Sequence, residues 1–329
     1  MDQVMSVIVH QIARPHGWPT ADQFAYTEVP TPTPGAGEAL VENMYLSVDP
    51  YMREAMDDRE LGVPMEGRSI GRVVDSRASG LTAGDLVFHR QGWRSHAIIT
   101  PDEARVLPEP PGVPITAYLG VLGGTGLSAY VGLTKIARLR PDETVFISAA
   151  AGGVGSAAGQ IARLLGARRV IGSTGSAAKA EHLVNTLGFD AAVDYTAGDL
   201  AARLTAEAPD GLDVYFDNVG GDHLEAAITA MRDHGRIAWC GAVAQYNAVT
   251  APAAPRNLFD VVGKQLRLEG FLVRDHRHLQ PELEEFLAPH LRSGRVVVDQ
   301  TVVDGITDIV DAFLTMLRGG NTGKMIVSV

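Results

Sequence analysis

Residues 143–164 read ETVFISAAAGGVGSAAGQIARL. An apolar run over 144–149 stops at a small-residue turn, and a helical pattern begins near Val154. Strand, glycine-rich turn and helix in that order open a dinucleotide-binding unit. The physical reason is that a pyrophosphate needs bare backbone N–H groups at a helix N-terminus, and side chains beyond Cβ would hold it away from them. Ala150, Gly152 and Gly155 occupy the three places where the fingerprint carries glycine. Alanine at the first place weakens the match, because many strand-to-helix turns are glycine-rich for packing alone.

On either side of this stretch the patterning differs. Residues 1–120 alternate in short apolar runs (4–9, 39–46, 70–74, 86–88, 96–99), punctuated by PTPTPGAGE, GLTAGD and PEPPGVP. Many short strands at close spacing predict a barrel or sandwich. From about residue 115 helical stretches alternate with strand-like runs. Strands are expected at 144–149, 169–173, 191–195, 213–218, 236–240 and 266–273, and helices at 154–166, 176–187, 198–207, 221–232 and 256–265. This predicts an α/β, doubly wound parallel sheet. The run VVVDQTVV (296–303) reads as a further strand, followed by a helix over 306–317 and a closing strand over 324–329. The C-terminus is therefore expected to return to the first domain.

The chain has 329 residues, 46% of them apolar, enough for two domains with full cores. No apolar run approaches the roughly 20 residues of a membrane span, and the N-terminus lacks the basic start of a signal peptide. A net charge of −11 without a dense basic run argues against nucleic acid or an anionic membrane as partner. The single cysteine, Cys240, excludes a disulfide framework and a four-cysteine zinc site, and fits a reducing, cytoplasmic setting. His276 and His278 stand close together on a charged stretch, with no third ligand at a convincing spacing, so no metal is expected.

The second strand decides which coenzyme fits. An NAD site usually carries an acid about 20 residues past the first glycine, to bind the ribose 2′-OH. Residues 170–180 hold no acid; Gly172, Ser173 and Gly175 are small, and Lys179 follows. A site without the acid and with a cation favours NADP(H).

With these features in hand, the chain resembles the zinc-free medium-chain dehydrogenases/reductases. More narrowly, it is similar to the leukotriene B4 12-hydroxydehydrogenase / prostaglandin reductase / alkenal double-bond reductase group. The resemblance runs through LSVDPYMR (46–53), AAAGGVGSAAGQIA (149–162), GSTGSAAKAEHL (172–183), FDAAVDY (189–195), FDNVGG (216–221), GRIAWCGAVAQYN (235–247), LEGFLV (268–273) and NTGKMIVSV (321–329). It implies a GroES-like β-rich domain (1–122 and 296–329) around a Rossmann-type NADP-binding domain (123–295). It also implies a homodimer, NADPH, and reduction of a carbon–carbon double bond conjugated to a carbonyl. Carried over by motif, Gly152, Gly153, Val154 and Gly155 lie against the pyrophosphate. Lys179 and Tyr195 attend the 2′-phosphate end, and Ser173 is a further coenzyme-binding candidate. Asn218, Cys240, Gly241, Tyr246, Phe271, Val273 and Asn321 line the rest of the coenzyme. One stretch departs from the pattern: GGTGLSAY (123–130) stands where the group commonly carries a Met-Pro pair. Gly124 and Thr125 are expected to leave more room and less rigidity beside the nicotinamide.

Reduction of an enone places negative charge on the carbonyl oxygen, so hydrogen-bond donors aimed there lower the barrier. Tyr246, past a strand end, and Tyr51, in VDPYMR, are the candidate catalytic donors; a phenol is neutral at pH 7, with a reference pKa of about 10. Arg53 reads as a structural ion-pair partner and Cys240 as a small core residue. A zinc-free quinone reductase or secondary-alcohol dehydrogenase remains an alternative on the same scaffold. An NADPH-binding sensor or structural protein without turnover is a further one.

Overall fold

The computed structural model describes residues 4–250 and 252–329. In the first part, β1 (Met5–Gln11) pairs antiparallel with β2 (Phe24–Pro30). There follow β3 (Ala39–Ser47), the short helix α1 (Tyr51–Ala55), β4 (Ser69–Ser76), β5 (Leu86–His89), β6 (His96–Ile99) and β7 (Arg105–Val106). The apolar alternation of these strands puts Val41, Val73, Val87, Ala97 and Ile99 into one buried cluster.

Beyond residue 120 the order is α2 (Gly124–Val131), β8 (Thr144–Ile147), α3 (Gly153–Leu164), β9 (Arg169–Thr174), α4 (Ala177–Asn185), β10 (Ala191–Asp194), α5 (Leu200–Glu207), β11 (Leu212–Asp217), α6 (Gly221–Ala230), β12 (Met231–Trp239), α7 (Asp260–Gly263), β13 (Arg267–Gly270) and α8 (Gln280–Arg292). Among the described residues, β8–β13 form a six-stranded sheet in the order β10-β9-β8-β11-β12-β13. Neighbours in this sheet run parallel. The reversal at β8/β11 is the switch point of a doubly wound fold, where ligands bind outside the strand ends. The chain closes with β14 (Gln300–Asp304), α9 (Ile309–Leu317) and β15 (Lys324–Ser328). β15 pairs antiparallel with β3, giving the order β14-β15-β3-β4-β5-β7.

Two units result. One runs up to Leu119 and takes in Gln300–Asn321 and Met325–Val329; the other holds Gly120–Asp299 and Thr322–Lys324. The first is centred on Phe24, Trp93 and Phe313, with Trp93 and Phe313 edge to face at 5.6 Å. The second buries Phe146 stacked on Tyr215 at 5.0 Å beneath α5 and α6. Among the described residues, no helix is long and apolar enough to cross a membrane.

Several element boundaries differ from expectation. The helix expected over 256–265 is only the single turn α7. α8 lies outside the helices expected from the sequence, where Pro281 and Pro289 interrupt the helical pattern; its buried stripe is Leu283, Leu287 and Leu291. Proline is harmless in the first turn, where its missing N–H has no helical partner. The run 296–303 becomes strand only from Gln300. Upstream of it, Val297 is held by a side chain: its N–H donates to Gln160 Oε1 at 2.7 Å, and its carbonyl accepts from Gln160 Nε2 at 3.2 Å. The stretch around Gly124 and Thr125, expected to be loose, is the helix α2, in which Thr125 is buried. A Cβ on Gly126 would overlap the Val121 carbonyl, so this helix is closely seated on its own preceding turn.

Candidate active site

The carboxyl ends of the six parallel strands deliver the site one after another. Past β8, Ala149 takes a left-handed φ of 47°. That conformation is uncommon for a residue with a Cβ, and it lies one residue before the alanine in the first glycine place. Gly152 then caps α3, and the N–H groups of Gly153, Val154 and Gly155 lie in its first turn, where no helical carbonyl reaches them. These donors and the helix dipole make an anion site. Gly155 is bare because a Cβ there would overlap the backbone of Ala149 and Ala150. From the other side, the Gly323 N–H donates to the Ala151 carbonyl at 2.8 Å. Thr125 Cγ2 and Lys324 Cδ lie 3.0 and 3.3 Å from where a Gly153 Cβ would be.

β9 ends at Ser173 and Thr174, both buried, and the Ser173 hydroxyl has no hydrogen-bond partner among the described residues. Ser176 caps α4 by accepting from the Lys179 N–H at 3.3 Å. The Lys179 ammonium is pulled below its usual range by burial. Tyr195 follows β10, 43% exposed, and its hydroxyl lies 2.9 Å from where a Gly175 Cβ would be. The acid abreast of Thr174 in the β9–β10 register, Asp194, is turned onto the Thr196 N–H and hydroxyl at 2.9 and 2.7 Å. The Tyr195 ring meets His223 edge to face at 4.9 Å.

β11 ends in a buried polar knot. Asp217 Oδ1 accepts from Tyr215 Oη (2.6 Å), Ser148 Oγ (3.2 Å) and the N–H groups of Val219 and Gly220 (2.8 Å each). Its main-chain carbonyl accepts from the Cys240 and Gly241 N–H groups at 2.8 and 3.2 Å. Burial raises this carboxyl above the usual range, against the pull of those donors. The Asn218 amide donates to the Ser148 carbonyl at 2.8 Å. The Asx-type turn at this corner therefore belongs to Asp217, and Asn218 is clamped to the end of β8. Cys240 lies one residue past β12 rather than inside a strand, and burial, then the Asp217 charge, pushes its thiol up to about 12. Such a thiol is not a thiolate at neutral pH. Tyr246 is half-buried in the following turn, with its hydroxyl 3.4 Å from where a Gly241 Cβ would be. Past β13, the Phe271 ring meets Phe216 edge-on at 6.4 Å, and Val273 opens a 3-10 turn.

Tyr51 and Asn321 belong to the other unit. Tyr51 opens α1, and its hydroxyl is buried without a hydrogen-bond partner among the described residues. Burial, then the Asp49 charge, pushes that phenol up to about 12. Arg53 pairs with Asp57 at 2.8 Å and donates to the Gly17 carbonyl, a structural duty. Asn321 is buried. Sequence reasoning missed Ser148, His223 and the Asp49–Arg68 pair; a lone polar residue closing an apolar strand was the available signal for Ser148. Among the described residues, no group of three or more His, Cys, Asp or Glu is placed to hold a metal ion.

Comparison with known proteins identifies the family. Residues 9–107 match a family described as the N-terminal domain of oxidoreductase, and 153–288 match one described as zinc-binding dehydrogenase. The chain is 39% identical to a 2-alkenal reductase (NADP(+)-dependent) of Nicotiana tabacum, over 90% of this chain and 88% of that one. It is 40% identical to prostaglandin reductase 1 of Rattus norvegicus, over 94% and 95%. Among solved structures it superimposes on CurA of Vibrio vulnificus in complex with NADPH with a TM-score of 0.92, at 35% identity over 98% and 99% of the two chains. The chain belongs to the medium-chain dehydrogenase/reductase family, in the group that holds the 2-alkenal and prostaglandin reductases.

Proposed function

We propose that the chain is an NADPH-dependent reductase of the carbon–carbon double bond of α,β-unsaturated ketones and aldehydes. The observation that carries this is near full-length likeness to reductases named for alkenals and prostaglandins and to a structure holding NADPH. The residues present fit that coenzyme. Gly155 keeps α3 close to β8, the N–H groups of Gly153, Val154 and Gly155 lie in the first turn of α3, and the acid abreast of the end of β9, Asp194, is bonded to Thr196.

When bound, NADPH supplies a hydride to the β-carbon of the enone. The chain's part is to bind, orient and polarise. The Gly152–Gly155 backbone receives the pyrophosphate. Lys179 and Tyr195, with Ser173 behind them, receive the 2′-phosphate. Asn218, Cys240, Gly241, Phe271, Val273 and Asn321 shape the nicotinamide end. The candidate donors of a hydrogen bond to the carbonyl oxygen, as it gains enolate charge, are Tyr246 and its rival Tyr51; burial pushes the Tyr51 phenol up to about 12, so it keeps its proton at neutral pH. A solvent proton completes the α-carbon. We also infer a homodimer, on the resemblance, and a cytoplasmic setting, on the single cysteine. Sedimentation tests the first and cell fractionation the second.

The test is a coenzyme-consumption assay across enones, quinones and secondary alcohols, with product analysis. Consumption of NADPH with an enone whose carbonyl survives supports the proposal. Turnover of quinones alone, or tight NADPH binding without any turnover, would replace it.

A further inference from the structure

Beneath Tyr51 lies a buried ion pair that the reaction as described does not use. Arg68 Nη1 donates to Asp49 Oδ2 at 3.2 Å, with side chains only 13% and 10% exposed. The Ser47 hydroxyl donates to the same oxygen at 2.5 Å, and the Ser47 N–H to the Arg68 carbonyl at 2.8 Å. Thus the end of β3 and the residue just before β4 hold the pair between them. The guanidinium carbon lies 5.6 Å from the centre of the Tyr51 ring. A buried pair of this kind adds little stability over well-packed apolar residues, because desolvation offsets the attraction. The contact of the guanidinium with the ring is a cation–ring contact at 5.6 Å.

We propose that Arg68 is a positioning residue for the reduction: anchored by Asp49, its guanidinium lies over the Tyr51 ring and fixes that phenol so that its unpartnered hydroxyl is ready to donate to the substrate oxygen. This rests on the enone-reductase reading and on Tyr51 as one of its donors. Two consequences follow from the geometry. The ring is held from β3 and β4 rather than only by the short helix α1, so the hydroxyl loses little freedom when it meets substrate. The fixed cation also offsets the negative charge that builds on the phenol oxygen as its proton is shared with an enolate. Burial, then the Asp49 charge, pushes the phenol's pKa up to about 12, and Arg68 opposes that rise from beside the ring.

A double-variant cycle tests this on the full chain, with wild type, Tyr51→Phe, Arg68→Gln and the combined variant. The readouts are kcat with an enone and the NADPH dissociation constant from coenzyme fluorescence. Arg68→Gln is expected to lower kcat roughly 30-fold, the scale of a desolvated cation–ring contact, with NADPH affinity unchanged. The combined variant is expected to be no slower than Tyr51→Phe alone, because Arg68 acts through that phenol. Arg68→Lys, which keeps the charge and loses the planar guanidinium, is expected to recover part of the rate. It replaces Arg68→Gln in the cycle should that variant fail to bind NADPH. Losses that multiply in the combined variant, or a wild-type kcat in Arg68→Gln, would overturn the proposal. A wild-type kcat in Tyr51→Phe overturns it too while leaving enone reduction standing. A wild type that turns over no enone overturns both.

Discussion

Lys179 illustrates how one side chain sets coenzyme choice. It stands in the first turn of α4, and burial already makes its ammonium easier to deprotonate. A charge-assisted bond to a phosphate contributes about 1.5–3 kcal/mol. Lys179→Ala is therefore expected to weaken NADPH binding by roughly 10- to 100-fold and to leave NADH binding unchanged, as read by calorimetry. The pH dependence has a definite sign. The cation is present below its pKa and lost above it, so NADPH affinity falls on raising the pH before the usual lysine value of about 10.4 is reached. NADH affinity should stay flat over that window. Tyr246 is the second residue-scale test. Removing one donor aimed at a developing oxyanion costs on the order of 10²-fold in kcat, so Tyr246→Phe should slow enone reduction by about that much, measured by steady-state kinetics with NADPH saturating.

The β8–turn–α3 element holds the account together mechanically. Gly155 lets the first turn of α3 approach the backbone of Ala149 and Ala150, and a methyl there has no room. Gly155→Ala is expected to cost about 1–3 kcal/mol of stability and to abolish measurable NADPH binding, checked by thermal melts with and without coenzyme. Gly263→Ala is the control: no neighbour lies within 4 Å of the added atom, and the melting temperature should hold. This element could be read from the chain because its constraints are local. A strand period, three small residues and a helix period stand in sequence, and each leaves a mark in residue type. α8 could not be read so, since its prolines look like breaks while its only positive mark is the spaced Leu283, Leu287 and Leu291. The Asp217 knot was equally hidden. Its partners Ser148, Tyr215, Val219 and Gly220 come from two strands and a turn, and only the β8–β11 register brings them abreast. Gln160 standing in as a ladder partner for Val297 is of the same kind.

For the molecule as a whole, stability carries its own titration. His89 is fully buried, its Nε2 2.8 Å from Asn43 Oδ1 and its Nδ1 accepting from the Gln91 N–H at 3.2 Å. Burial lowers its pKa to about 3, so the folded chain keeps it neutral. The unfolded chain takes up a proton below about pH 6.5, so stability falls as the pH drops from there toward 3. The loss is on the order of 3 kcal/mol between pH 6.5 and 4. Urea melts at those two pH values should show it, and the difference should shrink in His89→Gln. Function at this scale is a statement about where a hydride goes. The deciding measurement is reduction of an enone with NADPH deuterated at the nicotinamide C4, with the product examined by NMR. Deuterium on the β-carbon beside an intact carbonyl is the predicted result. Deuterium on a carbinol carbon with the double bond retained would contradict it.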